Sequence, residues 1–324
     1  MSNVTDESNS ANVPLEATSG ATDETFKRLF PRKYLCKCIE ERNSRTDSRS
    51  FNEMRNLTVE MDTVSTADAS ATVTIGQSKV LVGIKVEISE PNINEPACGF
   101  LEVNVNMTPF CGLRHEFGKS SDEALAIAEF IRRTLIGCNI FDLQDLCIEE
   151  HKSVWTVHLD CMCLSDGGSI IDCALLGSGV ALSRLVLPAL VLSPSNQLVR
   201  VNKSEISRMS TSNDLANSNG NASVSLKSHG KKLPVSSIPI SLTFGVFRYK
   251  DRKILFTDPC DEEEPLLENS FTVVCCLNRD DLSVYKQGGP GLDVSIIQEA
   301  FGLTKGRYDQ VARIETLSIL EVQK

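Results

Sequence analysis

Hydrophobic and polar positions change period within one stretch, residues 153–187, and that stretch predicts the centre of the fold. In its first half Trp155, Val157, Leu159, Cys161 and Cys163 share one parity, while Thr156, His158 and Asp160 take the other. A period of two with β-branched and aromatic residues predicts a strand buried on one face. Asp166-Gly167-Gly168 then supplies a turn, because glycine reaches positive φ without steric penalty. From Ile170 to Val186 the chain is apolar nearly all round, so the predicted helix has no solvent face and belongs in a core. Its Gly177, Ser178, Gly179 and Ala181 let other backbones approach closely. Pro188 stops it.

Strand-length apolar runs precede this unit at 71–75, 80–88 and 100–105, with Gly76-Gln77 as a hairpin signal between the first two. Ser120 and Glu123 form a capping box ahead of a helix whose apolar face is Ala124, Ile127, Ala128, Ile131 and Leu135. Residues 26–39 are weakly helical and interrupted by Pro31, which predicts two short pieces. A second set of strands is predicted at 240–247, 253–257, 271–277 and 282–285; after Gly288-Gly289-Pro290-Gly291, residues 294–301 and 308–322 predict two final helices. Strands and helices segregated in this way predict an α+β protein of two lobes, 26–190 and 191–324.

Two stretches carry no such pattern. Residues 1–25 hold five acidic and no basic residues and predict a disordered tail. Residues 202–233, rich in Ser, Asn and Lys, bury too little apolar surface to offset their ordering entropy and predict a flexible insert in the second lobe. A net charge of −10 over 324 residues argues against a protein that grips nucleic acid alone through a broad basic face, but not against a few basic residues on a shared surface. The N-terminus lacks the basic start and apolar core of a secretory signal, so an intracellular location is expected. The twelve cysteines fit that setting: Cys161, Cys163, Cys173, Cys275 and Cys276 lie in apolar runs, where they act as small hydrophobes. No CxxC occurs and the four histidines are scattered, so neither a metal nor another cofactor is expected.

The candidate chemistry is sparse. Residues 112–120 (GLRHEFGKS) approximate a phosphate-binding loop, but five residues separate Gly112 from Gly118 where that loop needs four. Arg114 and Lys119 remain as a basic pair just before a helix N-terminus, suited either to phosphate oxygens or to solvation as loop charges. Asp160 and Asp166 flank the central turn as a carboxylate pair or as structural turn residues. The run 261–264 (DEEE) reads as a solvated strand cap or a magnesium site near a phosphate.

With those residues laid out, the chain resembles the RNase PH superfamily, and within it the RNase PH-like ring subunits of the eukaryotic RNA exosome. The resemblance rests on residues 45–50 (RTDSRS), with Ser48 where the family has glycine, and on 65–71 (STADASA). It continues through Ile75-Gly76, residues 80–87, Asp145 to Ile148, Val154-Trp155, Asp160, Asp166-Gly167 and residues 171–174. Asp258-Pro259 with Glu262-Glu263-Glu264, and the late Gly288 to Gly291, complete it. It implies an RNase PH fold of two lobes of mixed β-sheet packed with helices, the first like ribosomal protein S5 domain 2. It also implies a six-membered ring of related chains, S1/KH-domain cap subunits, RNA threaded through the centre, associated exosome ribonucleases, and a place in nucleus, nucleolus and cytoplasm.

Active members of the family attack the 3′-terminal linkage with inorganic phosphate, using an arginine to hold phosphate and two acidic residues further on. The resemblance places Ile136 where that arginine closes a helix pattern, and puts the acidic pair near Glu264 and Ser270, so one carboxylate is missing. Without a group to neutralise the nucleophile, phosphorolysis loses most of its catalysis. The expectation is a non-catalytic ring subunit with no catalytic residues, and Arg114 and Lys119 as its RNA-channel contacts. An active phosphate-dependent 3′-5′ exoribonuclease and a degenerate nucleotide-binding enzyme are the alternatives.

Overall fold

Two helices open the part of the chain that the computed structural model describes, residues 19–109, 111, 122–192, 198–201, 226–228, 230–236, 238–250, 252–276 and 281–322. They are α1 (Ser19–Leu29) and α2 (Pro31–Arg42), and Pro31 starts the second, where its missing N–H has no partner to lose. The first lobe follows as β1 (Leu57–Met61), β2 (Ala69–Ile75), β3 (Ser78–Ser89), β4 (Phe100–Met107), helix α3 (Asp122–Gly137), β5 (Cys147–Glu149) and β6 (Ser153–Ser165). These strands form one sheet in the order β1-β2-β3-β6-β4, with β5 beside β6; β4 is parallel to β6 and the other pairs are antiparallel. β6 buries its odd-numbered apolar side chains as its parity predicts, and Thr156 departs from it by pairing with the Ser89 hydroxyl at 2.5 Å. Helix α4 (Ile170–Arg184) lies against β2 and β3 and is buried almost throughout, ending four residues before Pro188. At Gly177 a Cβ would stand 2.8 Å from Val82, so the helix sits closer to the sheet than an alanine allows.

The second lobe begins with a small sheet of β7 (Ala189–Leu192), β8 (Leu198–Val201) and β9 (Leu226–Ser228), ordered β8-β7-β9. An antiparallel sheet follows, of β10 (Ile240–Tyr249), β11 (Arg252–Thr257), β12 (Asn269–Cys276) and β13 (Asp281–Tyr285), ordered β11-β10-β12-β13. Helix α5 (Val294–Val322) packs on β10 and β12. The result is an α+β architecture with α4 between the two large sheets. Among the described residues no helix is long and apolar enough to cross a membrane.

Four sequence expectations are corrected. The two final helices are one, because Thr304 and Arg307 in the expected gap are buried, and Arg307 donates to the Arg55 carbonyl at 3.1 Å. That anchoring outweighs the roughly 1 kcal/mol that each of Gly302 and Gly306 costs a helix. Helix α1 begins inside the expected tail 1–25. Of the expected insert 202–233, residues 202–225 lie outside the described residues, but 226–228 form β9, Lys232 bridges Val186, and Leu233 is buried. The division at residue 190 is crossed twice. Leu35 and Ile39 of α2 pack on Phe247 and Phe256, while Tyr308 and Val311 of α5, with Ile240 and Val274, join the first core. Periodicity shows that an element has an apolar face but not which lobe receives it.

Candidate functional site: a cleft between the lobes

The turn after β6 is held by its own side chains. Asp166 accepts from the Gly168 N–H at 3.0 Å, and Gly168 has φ 93°, with a Cβ there only 2.6 Å from the Asp261 nitrogen. Ser169, at φ 52°, leads into α4; its N–H donates to Glu264 at 2.8 Å and its hydroxyl to the Pro259 carbonyl at 3.1 Å. The anion received beside the start of α4, where the helix dipole favours negative charge, is the chain's own carboxylate. This turn, the first half of α3, and β12 with β13 enclose a cleft of about 150 Å³. Glu123, Asp166, Glu264, Ser270 and Tyr285 line it, and no lysine or arginine does so among the described residues.

Beneath the cleft a set of arginines ties the lobes together. Arg55 donates to the Gly167 carbonyl at 2.6 Å and the Gly168 carbonyl at 3.0 Å, and its Nε donates to Asp258 at 3.0 Å. Burial pushes the Asp258 carboxyl up, but hydrogen bonds and charge from Arg55 outweigh it and hold the group below the ordinary carboxylate range. Arg45 is buried against Glu263, which is also fully buried, and donates to the Thr257 carbonyl at 2.6 Å. On α4, Asp172 accepts from the Thr243 N–H at 2.8 Å and its hydroxyl at 3.2 Å, and burial pushes its carboxyl up to about 6.

Glu264 and Ser270 both line the cleft. Ile136 is not there. It lies in the last turn of α3, about 14 Å farther along the axis than the cleft residue Ile127, packed on the first core. Asp166 lines the cleft while Asp160 faces outward beside Asn104, so they are not a pair. The acidic run 261–264 is not simply a solvated cap: Glu263 is buried on Arg45, Glu264 is at α4, and Glu262 makes an exposed pair with Lys27 at 2.6 Å. Arg114, Lys119 and the loop 112–120 lie outside the described residues. Sequence reasoning missed Glu123, Ser169 and Arg55; only the turn glycines beside Ser169 gave a local signal.

Comparison with known proteins now defines the class. Residues 53–188, which span the first lobe's sheet and α4, match the family described as "3' exoribonuclease family, domain 1". The fold is likewise that of an exosome of Archaeoglobus fulgidus "with RNA bound to the active site", at a TM-score of 0.68 and 23% identity over 87% of this chain and 96% of that one. An archaeal exosome core aligns with a TM-score of 0.63 and 22% identity. This is an RNase PH-fold protein. Within that class it is similar to exosome complex component rrp43 of Schizosaccharomyces pombe, 27% identical over 89% of this chain and 96% of the relative. It is also 26% identical to exosome complex component Rrp42 of Methanopyrus kandleri, over 83% of this chain and 90% of that one.

Proposed function

We propose that the chain is a non-catalytic subunit of the six-membered RNase PH-like ring of an RNA exosome. It supports 3′-5′ RNA processing and degradation by completing the ring and lining the RNA channel. The names of its relatives support the assembly, and they run along nearly its whole length. The observation that carries the lack of catalysis is Ser270 on the cleft wall: beside Glu264, a hydroxyl stands where the resemblance puts the second acid of active members.

The partners of this reading are five other RNase PH-like chains, S1/KH-domain caps, threaded RNA and the associated ribonucleases, in nucleus, nucleolus and cytoplasm. Arg114 and Lys119 contact RNA phosphates. In the assembled ring, Arg114→Ala and Lys119→Ala then each weaken RNA binding and lower the salt slope by about one. The enzymatic test is phosphate-dependent release of nucleoside diphosphates from RNA by the purified protein. No release above background is expected. Release that vanishes in a folded Glu264→Ala variant establishes the active exoribonuclease instead.

A further inference from the structure

The chain carries a thiol pair that its apolar sequence setting hides. Cys138 directly follows α3, its N–H still bonded to the Thr134 carbonyl at 2.9 Å, and is half-buried. Cys276 ends β12 and is buried. The two form a disulfide with their Cα atoms 6.4 Å apart, inside the range that a disulfide spans without moving the backbone. Cys275 is the neighbour of Cys276 on the strand and points to the opposite face, so only one of the adjacent thiols meets Cys138.

The position of the pair gives it a consequence. Helix α3 supplies Glu123 and Ile127 to one wall of the cleft; β12 supplies Ser270 and Thr272, and β13 supplies Tyr285, to the other. Helix α3 and β12 share an apolar core in which Phe130 packs on Tyr285 at 4.5 Å, and this covalent bond joins their C-terminal ends, away from the cleft. The remaining described cysteines are not in disulfides. Burial pushes the thiols of Cys161 and Cys260 up to about 12, which keeps them protonated and poorly reactive.

We propose that Cys138 and Cys276 are a reversible redox staple that ties the C-terminal end of α3 to the end of β12. The oxidant is a small disulfide such as glutathione disulfide. The more accessible Cys138 thiolate attacks one of its sulfurs, forming a mixed disulfide and releasing one glutathione thiolate, which takes a proton. The Cys276 thiolate then attacks the Cys138 sulfur and displaces the second glutathione. Two protein thiols are oxidised and one glutathione disulfide is reduced to two thiols. Reduced glutathione reverses both steps and releases the covalent tie between α3 and β12.

The test uses the full-length chain equilibrated in glutathione buffers of graded redox ratio, then alkylated, digested without reductant and mapped by mass spectrometry. The expected result is a Cys138–Cys276 peptide whose fraction rises and falls with the ratio. The oxidised form should melt about 5 °C above the reduced one. It should also show slower amide exchange over residues 122–137. Both differences disappear in Cys138→Ser and persist in Cys275→Ser; the peptide map of the unaltered chain stands even if a variant folds poorly. Alkylation of both thiols at every ratio overturns the proposal. So does a cross-link that reduced glutathione cannot open, or a melting difference that survives in Cys138→Ser.

Discussion

Arg45 and Lys27 both pair with the same acidic run, yet their environments set very different energies. Arg45 and Glu263 have no solvent, and each satisfies the other's charge. Arg45→Met strands a buried carboxylate and should cost about 3–5 kcal/mol in urea unfolding. Lys27 and Glu262 are substantially exposed, and Lys27→Ala should cost under about 1 kcal/mol. Ser48 departs from the family glycine while keeping its left-handed backbone, at φ 68°. Ser48→Gly should therefore stabilise the protein by about 0.5–1 kcal/mol in the same assay. Asp172 sets a pH dependence. Its folded value of about 6 lies above the ordinary 3.8, so the fold favours the protonated form. That contribution is complete below 3.8 and is lost as pH rises through 6. Asp172→Asn should thus gain on the wild type between pH 4 and pH 7, by on the order of 2–3 kcal/mol. Asp258, held low by Arg55, acts oppositely, and its contribution is lost as pH falls below the ordinary carboxylate range. The motif residues were visible in the sequence, but their partners were not: Arg45 and Glu263 are 218 residues apart.

At the scale of elements, the strand, turn and helix of residues 153–184 were legible except at their ends, because a period of two, a glycine pair and an all-apolar run each have one physical reading. The end of the chain was not. Local propensity breaks α5 at its glycines, and only contacts with the other lobe keep it whole. Two glycine substitutions separate these cases. Gly306→Ala meets no atom within 4 Å and should stabilise the helix by about 1 kcal/mol. Gly168→Ala must hold φ 93° and displace the Asp261 backbone, so it should destabilise by more than that. Thermal unfolding monitored by circular dichroism gives both signs. Helical spacing likewise shows which residues of α3 share a face, but not that its first turns, with Glu123 and Ile127, meet a cleft built by residues far along the chain.

At the scale of the molecule, the two α+β lobes could be read from segregated strands and helices, but their interlocking could not. Helix α2 packs on the second sheet and α5 reaches back to the first core, so neither lobe is closed without the other. Acidic charge and sparse candidate chemistry suit a chain whose role lies in assembly, and the resemblance supplied which assembly. The most direct test is to tag the protein in its native cells and quantify what co-purifies at moderate salt. Five other RNase PH-like chains and S1/KH-domain proteins, each equimolar with the tagged chain, is the result predicted for a ring subunit. Recovery of the chain alone, or only with copies of itself, would contradict that role.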